Sequence, residues 1–187
     1  MSKLTVTNAG VAVTPKTPGS SITTGRRKLI TINPTVNAAA HSAGEVLFNS
    51  TELPDAVLEE GGVAKLIAVS WVVESTVVSG GNDFELVFSE KNMADLGTQN
   101  DAPNITHDNF IAANPTGMVH IDGGDNDADF GAMTMGTCSS GAESGGGPLM
   151  LLKADAGSTS VYVSGLAGSA IDTTNTDSLR LIFHIEY

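Results

Sequence analysis

Apolar and polar residues alternate with a period of two along most of the chain beyond residue 28. A β-strand places successive side chains on opposite faces, so this alternation predicts strands with one buried face and one face in solvent. The segments that carry the pattern are 28–32, 45–49, 67–74, 84–88, 118–122, 149–152, 161–163 and 179–187. In the longest internal run we expect the buried face to carry Ile67, Val69, Trp71 and Val73, and the other face Ala68, Ser70, Val72 and Glu74.

Turn signals separate these segments, and no long helical pattern lies between them. Gly-rich stretches at 61–62, 79–82 and 139–148 mark tight turns or loose loops. Segments 54–60 and 107–113 have a helical composition, but both are so short that we expect turns there. Without a strand–helix–strand rhythm a parallel α/β enzyme fold is excluded. The sequence therefore predicts an all-β protein, an antiparallel β-sandwich that is jelly-roll-like.

The first part of the chain has a different character. Residues 1–27 are rich in Thr, Ser, Gly and Pro, with only two weak strand patterns, near 5–8 and 11–14. We predict an extended N-terminal arm at 1–27 and a β-sandwich domain at 28–187, with an unstructured terminus as the alternative for the arm. Together with the strand at 28–32, such an arm would offer an edge to a neighbouring protein.

Charge narrows the range of partners. The 187 residues carry a formal net charge of −12, and only 16% of them are charged. Direct nucleic-acid binding is not expected, because phosphate contacts need a basic surface. Basic residues cluster only at Arg26, Arg27 and Lys28, so we take Arg26 and Arg27 as candidate contacts to a protein partner. The first residues contain no leader-like or membrane-spanning pattern, which predicts a cytosolic product without membrane contact.

The search for reactive centres is largely negative. The common nucleotide, zinc and hydrolase motifs are absent. Cys138, the single cysteine, would need His107 or His120 beside it to act as a nucleophile, and the spacing does not predict this, so we expect a packed thiol. His41 and His184 are interpreted as a loop residue and a strand residue. We expect no enzymatic activity and no cofactor, although a jelly-roll hydrolase or lyase with a histidine and carboxylate metal cluster stays an alternative.

One acidic loop has the spacing of a cation site. Asp125, Asp127 and Asp129 alternate in a way that lets carboxylates converge on Ca²⁺. The loop departs from an EF-hand, because Phe130 stands where a Gly is needed and Gly136 stands where the bidentate Glu should be. A weak structural Ca²⁺ site and a solvated acidic loop are both open interpretations.

Two groups of apolar residues are candidates for contact surfaces. Trp71 is interpreted as a core anchor, with a hot spot in a subunit interface as the alternative. The methionines in the second half of the chain are unusual for so polar a neighbourhood, and we take Met133 and Met135 as candidate interaction residues. Flexible apolar Met side chains suit an adaptable contact surface, and core filling is the alternative.

Several stretches resemble small β-sandwich structural proteins of tailed bacteriophages. That family carries an Ala-Gly-Asp-Val strand start, a Pro-containing hairpin and a Gly-Gly turn before its longest strand. The matching residues here are Ala43-Gly44-Glu45-Val46, Pro54 and Gly61-Gly62, with Glu45 in place of the usual Asp. Segments 84–89, 100–103, 158–163 and the last strand continue the likeness, which covers most of 29–187. The acidic loop at 122–136 is particular to this chain.

The resemblance implies a virion component. Its most direct form is a head decoration or cement protein that stabilises the capsid from its outer surface by binding between subunits of the major capsid protein, often as a trimer. The alternative is a tail- or fibre-associated module that binds host glycans, which would need exposed aromatic side chains for sugar stacking. Aromatic residues make up 5% of the chain, which disfavours this alternative.

Overall fold

The computed structural model describes residues 6–8, 11–13, 26–75, 82–123, 127–139 and 150–187. Within these ranges the chain forms fourteen strands and one short helix. In chain order they are β1 (Val6–Asn8), β2 (Val11–Val13), β3 (Arg27–Ile32), β4 (Ala40–His41), β5 (Val46–Leu53), β6 (Val63–Glu74), β7 (Phe84–Ser89), α1 (His107–Ala112), β8 (Pro115–Ile121), β9 (Asp127–Asp129), β10 (Met133–Ser139), β11 (Met150–Lys153), β12 (Val161–Ala167), β13 (Ile171–Asp172) and β14 (Leu179–Glu186).

The strands form two large antiparallel sheets. One has the order β3-β14-β6-β10-β9, with β11 also paired to β6, and the other has the order β5-β12-β7-β8. Two small ladders pair β1 with β2 and β4 with β13. Hydrophobic side chains of both large sheets point towards each other and form a shared core. The predicted antiparallel β-sandwich is therefore confirmed.

The pairing of the eight main strands is nested. Taken in chain order as β3, β5, β6, β7, β8, β10, β12 and β14, the first pairs with the last, the second with the seventh, the third with the sixth and the fourth with the fifth. The pairs β14–β6 and β12–β7 then join these ladders into the two sheets. This arrangement is the jelly roll, in which a long antiparallel ribbon is wrapped into two facing sheets.

Two aromatic pairs join the sheets at the centre of the core. Trp71 of β6 meets Phe84 of β7 edge to face, with ring centroids 5.9 Å apart, and Phe183 of β14 meets Phe88 in the same geometry at 5.9 Å. Edge-to-face pairs add about 0.5–1.5 kcal/mol beyond the burial of their apolar area. As the alternation along β7 predicts, the side chains of Phe84, Leu86 and Phe88 point inward and are fully buried.

A β-bulge in β6 overturns one part of the predicted pattern. Along β14, His184 pairs with Ala68 and Ile185 pairs with Leu66, so Ile67 is an extra residue in the ladder. A bulge shifts the phase of alternation by one residue. Leu66 is therefore fully buried, whereas Ile67, which we expected on the buried face with Trp71, is only half-buried.

The two short segments with helical composition differ from each other. The expectation of a turn is right at 54–60, where no strand or helix forms. It is wrong at 107–113, where His107–Ala112 form helix α1. Thr106 caps this helix by accepting a hydrogen bond from the Asn109 amide at 3.3 Å, and Asp108 lies favourably in the first turn. Capping of the first turn thus supports a helix in a segment whose short length predicts a turn.

Helix α1 belongs to a segment that covers the outside of the four-stranded sheet. Residues of 90–114 form a second apolar cluster with outward side chains of that sheet: Val46, Val87, Met93, Leu96, Ile105, Phe110, Ala113 and Leu166. The side chain of Asn49 fixes this segment, since its Oδ1 accepts from the Leu96 amide at 2.8 Å and its Nδ2 donates to the Gly97 carbonyl at 3.0 Å. This segment therefore covers part of the outer side of that sheet, while Met118 of β8 on the same side is 57% exposed.

The predicted arm lies mostly outside the described residues. Its described parts are the β1–β2 ladder and the two arginines that lead into β3. The division into an arm at 1–27 and a domain at 28–187 stays a prediction.

Candidate interaction surface

Among the residues that the structure describes, no apolar cluster covers the outward side of the six-stranded sheet. Both apolar clusters of the described ranges lie elsewhere, one between the sheets and one on the four-stranded sheet. We call this outward side the open face. Its uncharged strand residues include Leu29, Thr31, Ser70, Val72, Met133, Met135, Thr137, Ile182 and His184. They alternate with buried residues such as Ile30 and Phe183, which places them on the side away from the core.

The open face is mostly uncharged. Thr31, Ile182, Ser70 and Thr137 lie side by side across four strands. Leu29, His184 and Ala68 lie side by side across three of them. Charged side chains lie at the two ends of these strands. At one end Arg27 pairs with Glu186 at 3.2 Å, and Lys65 is opposite Glu186. At the other end Arg180 donates to Asn33 Oδ1 at 3.0 Å, and Glu74 is opposite Met133. A sheet face with few charges and several apolar side chains is suited to contact with another protein.

A chain of hydrogen bonds crosses the centre of the open face. Ser70 Oγ lies 2.9 Å from Thr137 Oγ1 and 3.0 Å from His184 Nε2. Ser70 and His184 thus have the spacing of a nucleophile and a base, but the hydrogen bonds of the described residues give His184 no carboxylate to orient it. We interpret this series of hydrogen bonds as a cross-link between β14, β6 and β10.

The predicted interaction residues are divided between this face and the core. Met133 and Met135 lie on the open face and are exposed. Arg27 lies at its β3 edge, and Arg26 is exposed next to it, with its carbonyl accepting from the Tyr187 amide at 3.0 Å. Trp71 is fully buried between the sheets. A buried side chain has no surface to offer a partner, so the core-anchor interpretation of Trp71 is right and its selection as a contact residue is wrong.

Sequence reasoning missed Phe130 as an exposed apolar residue. Phe130 is 63% exposed at the turn between β9 and β10. In the sequence Phe130 stands out only as a departure from the EF-hand pattern. The signal that points to it is the following Gly131, since a hairpin turn leaves its flanking side chains in solvent.

The residues of the candidate Ca²⁺ site are described only in part. Asp125 lies outside the described residues. Asp127 and Asp129 both lie on β9, and Asp129 Oδ1 accepts from the Gly131 amide at 2.9 Å. Within the described ranges no three His, Cys, Asp or Glu side chains lie close enough to hold a metal ion. The Ca²⁺ site stays a prediction.

Cys138 and the remaining histidines do not form a reactive pair among the described contacts. Cys138 Sγ donates weakly to the main-chain oxygen of His120 at 3.8 Å, and burial raises the pKa of its thiol. His120 Nδ1 lies 3.9 Å from Glu85, and His107 Nδ1 lies 3.5 Å from Asp108. His41 is buried, with Nε2 at 3.4 Å from the Asn37 carbonyl. A thiol with a raised pKa is a poor nucleophile at neutral pH.

The described residues contain no helix that is long and apolar enough to cross a bilayer. No protein-family model matches the sequence, and no curated protein matches it.

Three solved structures overlap with the chain at low similarity. Cocksfoot mottle virus gives a TM-score of 0.25 at 14% identity, over 100% of this chain and 95% of the other. The Gx strain of infectious bursal disease virus gives 0.21 at 14% identity, over 97% and 44%. T=1 particles derived from infectious bursal virus give 0.19 at 13% identity, over 96% and 43%. Overlaps at these TM-scores carry no argument about fold or function, and none of the three comes from a tailed bacteriophage.

Proposed function

We propose that this protein is a structural component of a virus particle that decorates and stabilises the capsid. In this proposal it binds on the outer surface between subunits of the major capsid protein, as a homo-oligomer and most simply a trimer, after synthesis in the host cytoplasm. It acts by binding and performs no catalysis.

The observation that carries the proposal is the difference between the two outer faces of the sandwich. The four-stranded sheet is covered by residues 90–114 of the same chain, whereas the open face has no such cover among the described residues. An isolated soluble domain gains stability by covering an apolar sheet face, as this chain does on one side. A weakly charged face left for a partner is typical of a protein that completes its packing on assembly.

The strand topology agrees with such a role but does not specify it. Jelly rolls occur in viral capsid proteins, in lectins and in cupins, so the topology is compatible with structural, glycan-binding and enzymatic proteins. The resemblance of 38–67 to small β-sandwich proteins of tailed bacteriophages favours the structural role.

The side-chain chemistry favours binding over catalysis. The pair Ser70–His184 has no orienting carboxylate in the described contacts, and the only thiol has a raised pKa. An excess of 21 acidic over 9 basic residues disfavours nucleic acid as a partner.

Imaging of particles made with and without the protein tests the proposal. We expect additional density at regular positions on the capsid shell, and at three-fold positions if the protein is a trimer. Density confined to the tail would favour a tail- or fibre-associated module instead. Identical particles in the two preparations would contradict any role in the virion.

A further inference from the structure

The hairpin of β9 and β10 presents an apolar patch on a hydrogen-bonded turn. Its ladder pairs Ala128 with Met135 and Asp129 with Thr134. The Phe130 amide donates to the Met133 carbonyl at 2.7 Å and closes a two-residue turn, in which Gly131 adopts a φ of +86°. That φ lies in the left-handed region that favours glycine.

Two further contacts hold this turn in place. Asp129 Oδ1 accepts from the Gly131 amide at 2.9 Å, and the Ser75 amide donates to the Ala132 carbonyl at 3.1 Å. The second bond ties the turn to the residue that follows β6. A preorganised element loses little conformational entropy on binding, which favours its use as a contact.

Three large apolar side chains of this hairpin lie on one side. Phe130 and Met133 are opposite each other across the turn, and Met135 is two residues further along the same face. They are 63%, 47% and 42% exposed. We call these three residues the hairpin patch. One aromatic and two methionine side chains have the composition of a binding hot spot.

The charges around the hairpin patch indicate what kind of partner fits it. Glu74 is the direct cross-strand neighbour of Met133 and lies on the same face, whereas Asp129, which immediately precedes Phe130, is paired with buried Thr134 on the other face of the hairpin. The nearest base on the open face, Arg180, is opposite Val72 and is engaged with Asn33. A symmetric contact between two copies would bring the Glu74 carboxylates of the two copies close together, in a chain with a net charge of −12.

We propose that the hairpin patch binds a different protein, one with an apolar pocket surrounded by Lys and Arg side chains. The inference deepens the proposed function, since it gives the chemistry of the capsid surface that would receive this protein. The patch geometry itself does not depend on the partner being a capsid.

A peptide probe tests the partner chemistry independently of any virus particle. The probe is a designed amphipathic peptide of Leu and Lys, and its control is the same design with Glu in place of Lys. The full chain carries labelled methionine methyl groups. We expect the Lys peptide to shift the signals of Met133 and Met135 and to leave Met118 unchanged. Met118 is a matched internal control, because it is 57% exposed on the other sheet.

Matched variants separate the apolar and the electrostatic contributions. Phe130→Ser should lower the affinity for the Lys peptide at least tenfold, whereas Leu58→Ser, at a residue 56% exposed elsewhere, should leave it unchanged. Asp129→Asn with Glu74→Gln keeps the side-chain acceptors, removes two charges, and should reduce the salt dependence of binding.

Several results would overturn the inference. These are no shift at Met133 and Met135, an equal shift at Met118, or equal binding of the Glu peptide. Concentration-dependent self-association that Phe130→Ser abolishes would identify a second copy as the occupant instead. If the peptide maps to the hairpin patch but the protein binds no particles, the proposed function fails and this inference stands.

Discussion

Gly136 of β10 lies directly opposite Trp71 of β6, and the indole ring occupies the space that a side chain at residue 136 would need. A Cβ atom there would lie less than 3.0 Å from three carbons of the six-membered ring. The largest side chain of the core is therefore accommodated by the absence of one on the neighbouring strand.

Replacing Gly136 by Ala should lower the free energy of unfolding by roughly 1–3 kcal/mol through overpacking. The cost should be smaller in a Trp71→Leu background, where the ring is absent. Denaturant unfolding of the four members of this double-mutant cycle measures the coupling. Gly131→Ala is the control, because it meets no atom within 4 Å and should cost the same in both backgrounds. An equal cost of Gly136→Ala in both backgrounds would show that the ring is not the obstacle.

The bulge at Ile67 makes a second prediction about stability. Leu66→Ala removes a fully buried side chain and should cost roughly 2–5 kcal/mol. Ile67→Ala removes a half-buried side chain outside the core and should cost about 1 kcal/mol. Denaturant midpoints of the two variants decide between the bulge and regular alternation. If the strand instead alternated regularly with Ile67 inward, as the sequence pattern predicts, Ile67→Ala would cost more stability than Leu66→Ala.

The side chain of Asn49 should hold residues 90–114 against the four-stranded sheet. Asn49→Ala leaves the Leu96 amide and the Gly97 carbonyl without their partner, at a cost of about 1–3 kcal/mol if both stay buried. We expect faster hydrogen exchange across 90–114 with little change in β14. Asn109→Ala, at an exposed position of helix α1, is the control and should change neither. Uniform acceleration through the whole domain would instead mean that the segment is not a separate unit.

Ionisation of Tyr187 should contribute to the loss of folding stability at alkaline pH. Burial and the nearby carboxylate of Asp55 raise the pKa of Tyr187 above its ordinary value of 10.0, and its hydroxyl donates to the Asp55 carbonyl at 3.0 Å. Because the folded state holds this proton more tightly, the contribution is present at neutral pH and is lost as the pH rises above 10. Thermal melts from pH 8 to 11 should fall less steeply for Tyr187→Phe than for the wild type. Parallel curves would contradict the assignment.

Much of the fold is encoded in local alternation, and this part could be predicted from the sequence. The residues that flank Phe84, Leu86 and Phe88 are polar or less buried. The inward orientation of these three side chains can therefore be inferred without knowing a distant partner strand. The phase change at Ile67 could not be predicted in this way, because the bulge depends on how β14 pairs with β6. The sequence also contains no local pattern, apart from the turns, that indicates the nested pairing of the strands.

The candidate surface was harder to predict than the strands. Met133 and Met135 were selected for their apolar character, but only the structure places them beside Phe130 on one side of a hairpin. The cover of the other sheet was missed altogether, since Met93, Leu96 and Phe110 have no strand or helix period and meet only in the folded chain. Sequence patterns report which side chains alternate, not which sheet face a distant loop covers.

We propose that the open face, and not the covered one, docks on a larger assembly. The most direct measurement is co-sedimentation of purified full-length variants with particles that lack the protein. Leu29→Glu places a charge on the open face at a residue 62% exposed, and Ile111→Glu places one on the covering segment at a residue 50% exposed. We predict that Ile111→Glu sediments with particles like the wild type and that Leu29→Glu stays in the supernatant. Equal binding of both variants, or loss of binding only for Ile111→Glu, would contradict the account.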